Sequence, residues 1–592
     1  IRVEGLPLNP AIYALLVSAE VDTSLLLPSQ FKLVFRGHSS KVLGESGLQL
    51  AAEVALQVTT GGAPIPLLTA EVTGVDIEYG PEGRLTIVRG LDKSNRLMRG
   101  IATMAYPDMT ASDVVEALVA DHGIPIGEIV PTDNSYAWLS QPNVSAWTFI
   151  QQLAAMEGYL AWVDPLGLFN FGPIPRPQEG PPPVMSLNEP AKGTQLVMGK
   201  NLVRLRASVT SAEQVPEVAV TGYDYMQGMP VMGTVPATPS TAQSLDPAAF
   251  PAAVAAEFGA SSFQFSSKPA DTEGQAMSRA RFLAAEIAGA MAELEGECLG
   301  NPAVLAGKVI SLGMAGQPFD GQYLCSSARH VFEPFNGGYT TRFTVGGLRD
   351  RTLFSLTSGG GGDPLHAGRF FGVVVATVVD NLDEEDLGRV KVRFEWLSNS
   401  YVSAWARTVQ MGAGNDGGYG FLFVPEVGDE VLVAFDRGDL DHPYVIGGLY
   451  NGMSKPQPAP EIQGMVANRR ISSRLRHTIQ FNDGPEQNGM LIKTGDDSVS
   501  ITLDADTGNL LIKTDGEVTI QSEATMLLRS GTDISIEASG SIALQAEGQV
   551  SVKSGDSFSV DSGEGISMSA GGSVSVSGPD VSISSPEVSL GA

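Results

Sequence analysis

Between Leu510 and Val576 an apolar residue stands at every eighth position, with a second apolar residue two places after each. The first series is Leu510, Val518, Met526, Ile534, Ile542, Val550, Phe558, Ile566 and Val574. The second is Ile512, Ile520, Leu528, Ile536, Leu544, Val552, Val560, Met568 and Val576. Gly, Ser, Asp and Glu fill the intervals, and Gly516, Gly531, Gly540, Gly548, Gly555, Gly563 and Gly572 supply turn chemistry. Each unit therefore reads as a strand of three or four residues with alternate side chains on one face, followed by a bend.

Eight residues are too few to close a coil. A single-chain solenoid needs about 18 residues or more per turn, since three short strands and three corners must fit. The economical arrangement is three identical chains wound about one axis, each giving one side of every triangular layer. Both apolar series then form a trimer core, and a lone chain would be left with open strand edges and an exposed apolar stripe. A meander of short antiparallel hairpins is the one-chain alternative, but hairpins rarely hold a fixed period over so many units. At about 4.8 Å per layer the strict repeats rise about 43 Å. After Val576 the period shortens to seven, with Val581, Ile583, Val588 and Leu590 continuing it and Pro579 and Pro586 at the bends. The last repeats, with Val588 and Leu590, are expected to end the needle in a flat platform suited to a cap.

The rest of the 592-residue chain has room for three or four domains in all, and its 43% hydrophobic content is that of globular protein. Turn signals are dense and helical patterns few, so the fold class is expected to be mainly β. Cys298 and Cys325, the only cysteines, lack metal-ligand spacing and are expected to be buried core residues. The 66 acidic against 37 basic residues give a net charge of −29. That charge repels phosphate backbones and anionic lipid, which argues against electrostatic binding of nucleic acid or membrane. The start lacks a basic leader and a cleavage pattern, so synthesis in the bacterial cytoplasm without a signal peptide is expected.

Punctuation divides the chain into residues 1–355, a Gly-rich linker at 356–368, a unit at 369–450, a neck at 451–489 and the repeat region 490–592. In the first unit the patterns predict helices over Thr110–His122 with Thr110 as N-cap, over Ser145–Glu157 ended by Gly158, and over Thr272–Glu295. The 369–450 unit alternates in short runs that predict strands at Gly372–Val379, Arg389–Phe394, Ala404–Val409, Gly420–Phe423, Glu430–Phe435 and Tyr444–Leu449. So many short strands in so few residues suggest a small closed barrel.

The stretches "GRVKVRFEW", "SAWARTV", "GFLFVPEVGDEVLVAF" and "HPYVIGGLYNG" resemble the OB-fold of contractile-injection spike proteins, the VgrG proteins of type VI secretion and the hub and spike of phage tails. "GLDKSNRLMRGIATMAYPDMTASDVVEALVADHGI" and "QPNVSAWTFIQQLAAMEGYLAWVD" are similar, more weakly, to the same family's hub domain. The resemblance implies two hub barrels with a few helices, an OB barrel and an intertwined trimeric β-helix, in that order. It also implies a homotrimeric structural spike that joins an inner tube and baseplate at its N-terminal side to a PAAR-type tip protein at the other. Such a spike pierces the target envelope, touches the target membrane transiently and travels as part of an injection particle, as in extracellular contractile systems.

No catalytic residue, cofactor site or metal site is assigned, and the reading is of a protein that is not an enzyme. "DEED" at Asp383–Asp386 reads as a solvated hairpin loop rather than a carboxylate pair. Asp439, Asp441 and His442 could ligate a metal, but "DLDHP" reads as a turn. The space between Leu449 and Met490 is too short for a hydrolase domain, and no effector domain is expected after the repeats. The rival function is a β-helical tail fibre or envelope-degrading enzyme, which would need paired carboxylates about 5–10 Å apart. The outward repeat positions offer only isolated acids such as Glu537 and Glu547.

Overall fold

A computed structural model describes residues 1–592 except 60–61, 82, 213, 239–240, 247–252, 254, 256, 258, 260–261, 335–337, 349–367, 399, 416–418, 457–460, 463, 486 and 590–592. The expected linker at 356–368 and Leu590 thus lie largely or wholly outside the described residues. The chain divides into two units, Ile1–Pro456 and Gln457–Ala592, and is mainly β.

In the first unit an eleven-stranded antiparallel sheet runs from Leu202–Val209 through Ala292–Leu299, Gly338–Val345 and Ser327–Glu333 to Leu16–Ser24, then on through Gln30–Arg36 to the short strands at the N-terminal edge. The pairing of Ser327–Phe332 with Ala19–Ser24 joins its two halves. Each half has its own core. Leu33, Phe35, Val42 and Val54 centre the first, and Leu294, Cys298, Tyr323, Cys325 and Phe343 centre the second. Both cysteines are free and buried, and burial pushes each thiol up to about 12.

A third core is built on the helices. Ala111–Asp121 starts on a capping box, in which Thr110 Oγ1 accepts from Asp113 N at 3.2 Å and Asp113 Oδ2 from Thr110 N at 3.1 Å. Ala146–Glu157 starts on Ser145 and stops at Gly158, whose φ of 75° suits a residue without Cβ. The third helix, Glu273–Gly289, is shorter than expected. Ala292–Glu295, read as its last turn, belongs instead to the strand Ala292–Leu299: Leu294 and Cys298 are buried while Glu293 and Glu295 face out, and this two-residue period overrides helix propensity.

The 369–450 region forms a five-stranded sheet in the order Lys391–Arg393, Val373–Asp380, Glu430–Phe435, Pro443–Gly448, Arg407–Thr408. Bridges between Val390 and Ala406 and between Arg393 and Val402 join its edges, closing a barrel around Val378, Val392, Phe394, Val431 and Val433. The strand expected at Gly420–Phe423 is not formed. Phe423 N donates instead to Gln410 Oε1 at 2.9 Å, so a side chain takes the place of a ladder partner, and Phe421, Leu422 and Phe423 are exposed. The acidic loop is also corrected in part. Glu384, Glu385 and Asp386 are exposed, but Asp383 and Arg389 form an ion pair at 2.5 Å with side chains only 4% and 7% exposed.

In the second unit five strands form an antiparallel meander, Asn468–Ser472, Thr478–Gly484, Gln487–Lys493, Val499–Asp504 and Leu510–Thr514, in sequence order. Beyond it the described residues form no helix or strand, and the chain bends at 515–516, 523–524, 531–532, 539–540, 547–548, 555–556, 563–564 and 571–572, an eight-residue period, and again at Pro579 and Pro586.

Candidate functional site

The meander separates its residues by face. Its register sets Ile471 beside Ile479, Ile479 beside Ile492, Ile492 beside Ile501 and Ile501 beside Ile512, a row of five isoleucines across all five strands. Two residues along, Phe481, Met490, Leu503 and Leu510 form a second row on the same face. The other face carries Arg470, Gln480, Thr502, Lys493 and Lys513, with Leu491 and Leu511 among them. Alternation of this kind marks a sheet that buries one side. Yet Ile471, Ile479, Phe481, Ile492, Leu503, Leu510 and Ile512 are all exposed.

The repeats continue the same condition. Leu510 and Ile512, the first octad pair, belong to the last meander strand, so the antiparallel alternative does describe the entry to the repeats. From Val518 to Val576 all remaining octad positions are exposed, between 48% at Met526 and 79% at Leu544. Val588 is exposed too. Among the described residues, no backbone N–H from 517 to 589 donates to a backbone carbonyl. The polar contacts there are local side-chain ones, such as Ser554 Oγ donating to Ser557 O at 2.6 Å and Ser562 Oγ to Gly565 O at 2.9 Å. Backbone amides in folded protein normally find a partner, and along this run the described residues have neither a ladder nor apolar cover within the chain. The octad residues were legible in the sequence. The isoleucine row was not singled out, although "TIQF", "MLIK" and "VSITL" carry its alternation.

A second polar assembly lies inside the first unit. Asp439 to His442 form a turn closed by His442 N donating to Asp439 O at 3.0 Å, as the sequence suggested. The turn also meets the segment ahead of helix Glu273–Gly289. His442 Nε2 is 3.0 Å from Asp271 Oδ2, and Lys268 Nζ is 3.9 Å from Asp439 Oδ2. Burial opposes a charged His442, but Asp271 and Asp439 hold its pKa well above the usual imidazole value. Burial, with Asp439 beside it, raises the Asp441 carboxyl to about 7. Burial also works against an ionised Asp439, yet Lys268 and His442 keep it below the usual carboxylate range. Ser140 Oγ and Tyr401 OH, 2.8 Å apart, complete the junction. Among the described residues no group of three His, Cys, Asp or Glu side chains is arranged to hold a metal ion.

Comparison with known proteins places the barrel. Residues 374–450 match the type VI secretion system/phage-baseplate injector OB domain, and residues 75–333 match the Alg8 N-terminal domain. The chain is 30% identical over 135 residues to the type VI secretion system spike protein VgrG2a of Pseudomonas aeruginosa, covering 21% of this chain and 16% of that protein. It is 39% identical over 93 residues to the actin cross-linking toxin VgrG1 of Vibrio cholerae, covering 14% of this chain and 8% of that protein. The matches thus span less than a fifth of these relatives' length. In structure it is similar to a chain of the half-lidded Francisella PdpA–VgrG complex, at 8% identity and a TM-score of 0.49 over 84% of each chain. Residues 374–450 thus form an injector OB domain, and the chain is similar in part to VgrG spike proteins.

Proposed function

We propose that the chain is the structural central spike of a contractile injection machine and works as a homotrimer. The observation that carries this reading is the stretch beyond Thr514, where an eight-residue bend period coincides with apolar pairs that one chain leaves bare and, among the described residues, backbone amides without a backbone partner. Three copies wound together would bury both octad series and pair the amides between chains. Three meanders would bring their isoleucine rows to the same axis. Fully burying a side chain of this size contributes about 1.5–3 kcal/mol, less what is already covered in one chain.

In this reading the N-terminal region meets the inner tube and baseplate, the OB barrel is the collar and the repeats are the needle. A PAAR-type tip protein docks on the last repeats at Val588 and Leu590. The needle pierces by force and carries no catalytic step, and its contact with the target membrane is transient. The particle that contains it is assembled in a bacterial cytoplasm and released or fired outward. Mass photometry of the purified chain tests the assembly: a species at three times the 62.1 kDa chain mass is expected. A folded species at the single-chain mass would refute it. Removing Val581–Ala592 should abolish capture of a PAAR-type partner while leaving the trimer intact.

A further inference from the structure

Between the OB barrel and the N-terminal region lies a cavity of about 170 Å³. Strand Ser135–Val144, the segment Lys268–Asp271 and helix Glu273–Gly289 wall one side; Arg389, Ala404–Arg407 and Asp439–Tyr444 wall the other. In a chain of net charge −29 this wall is locally positive. Lys268, Arg279, Arg389, Arg407 and His442 line it against Asp271, Asp439 and Asp441.

Not all of that positive charge is spent within the fold. Arg389 is matched by Asp383 outside the cavity. Arg279 is 1% exposed, and its Nη1 donates to the carbonyls of Lys268 and Pro269, each at 2.8 Å, but its buried Nε has no partner. At the mouth Arg407 is exposed and lies over the rings of Tyr225 and Tyr444, at 5.3 and 5.7 Å, with no acidic partner among the described residues. An unmatched donor on a fully buried arginine is unfavourable unless something polar meets it. Asp441, whose Oδ1 is buried without a partner, is close to its titration midpoint at neutral pH, so it can share a proton with an incoming carboxyl group.

We propose that this cavity binds a carboxylate side chain presented by an acidic segment of another polypeptide. Arg279 at the floor supplies a charge-assisted hydrogen bond, and Arg407 at the rim closes over the segment. Its volume has room for one side chain of glutamate size, and the aromatic rings of Tyr225 and Tyr444 give the flanking backbone a flat surface. The site lies within one chain and is independent of the number of copies in the spike, so its failure would leave the trimer reading untouched.

Isothermal titration of the full chain with N-acetylated octaglutamate, and with octaglutamine as its neutral match, tests the site. Saturable binding of octaglutamate near one per chain is expected, with none for octaglutamine. Arg407→Glu should weaken it about tenfold or more. Arg279→Met should do the same where it folds, and Arg407→Glu alone decides if it does not. Arg476→Glu, in the arginine-rich hairpin of the second unit, should leave the affinity unchanged. Absence of binding at millimolar peptide, undiminished binding by Arg407→Glu, or loss of binding by Arg476→Glu would each overturn the proposal.

Discussion

Val433 in the OB barrel and Val552 in the repeats sit in the same kind of pattern, each with an apolar residue two places before it. Val433 is fully buried by its own chain, and Val552 is 65% exposed. The difference is one of closure. In the barrel the strands turn back within a few residues, so Val390 meets Ala406 and the edges pair. In the repeats the chain bends every eight residues and, among the described residues from 517 to 589, forms no backbone ladder with itself. A local pattern that specifies a buried face does not say whose atoms will bury it.

The largest effect that could break this comparison is a charge inside the needle. Val552→Asp would place three carboxylates in one layer about the threefold axis, where ionisation is strongly opposed. Loss of the trimer, or a large fall in melting temperature, is expected by mass photometry and thermal melting.

In the barrel, Asp383→Ala should act within one chain. It strands the nearly buried Arg389 guanidinium, which otherwise holds the Asp383 carboxyl down to about 2. A loss of about 3 kcal/mol is expected by denaturant titration, with the oligomeric mass unchanged.

Smaller is the pH response of the junction formed by Lys268, Asp271, Asp439, Asp441 and His442, with Arg279 and Glu157 behind it. Asp441, raised to about 7, binds a proton in the folded state between about pH 4 and 7 that the unfolded state has lost. His442, raised above its usual value, does the same above about pH 6.5. Both make stability fall as pH rises through neutrality. Asp439, held low, acts oppositely and only below about pH 4. Melting should therefore be several degrees higher at pH 5.5 than at pH 8, and Asp441→Asn should flatten the difference. The smallest effect belongs to Ser551→Asp, on the outward side of the same strand as Val552: a shift in melting temperature within a degree or two, against the collapse expected one residue away.

Much of this architecture was legible in the residues. The cap at Thr110, the stop at Gly158 and the eight-residue spacing of the bends are short-range signals, and each appears where the sequence puts it. What escaped depends on partners distant in sequence. Ala292–Leu299 is a strand because Gly338–Val345 and Leu202–Val209 lie beside it, and no helix scale contains that fact. Asp383 looked solvated because its loop is acidic, yet Arg389 folds back over it. Asp439 and His442 looked like a turn, which they are, but Asp271 and Lys268, far earlier in the chain, make the turn a junction.

Backbone hydrogen exchange on the purified protein tests the central claim most directly. Among the described residues the amides from 517 to 589 have no backbone partner, so strong protection there is expected to come from other copies. Slow exchange across this whole stretch, as slow as in the OB strands Val373–Asp380 and Glu430–Phe435, is the predicted result. Exchange at the rate of an open chain, with those OB strands still protected, would contradict it.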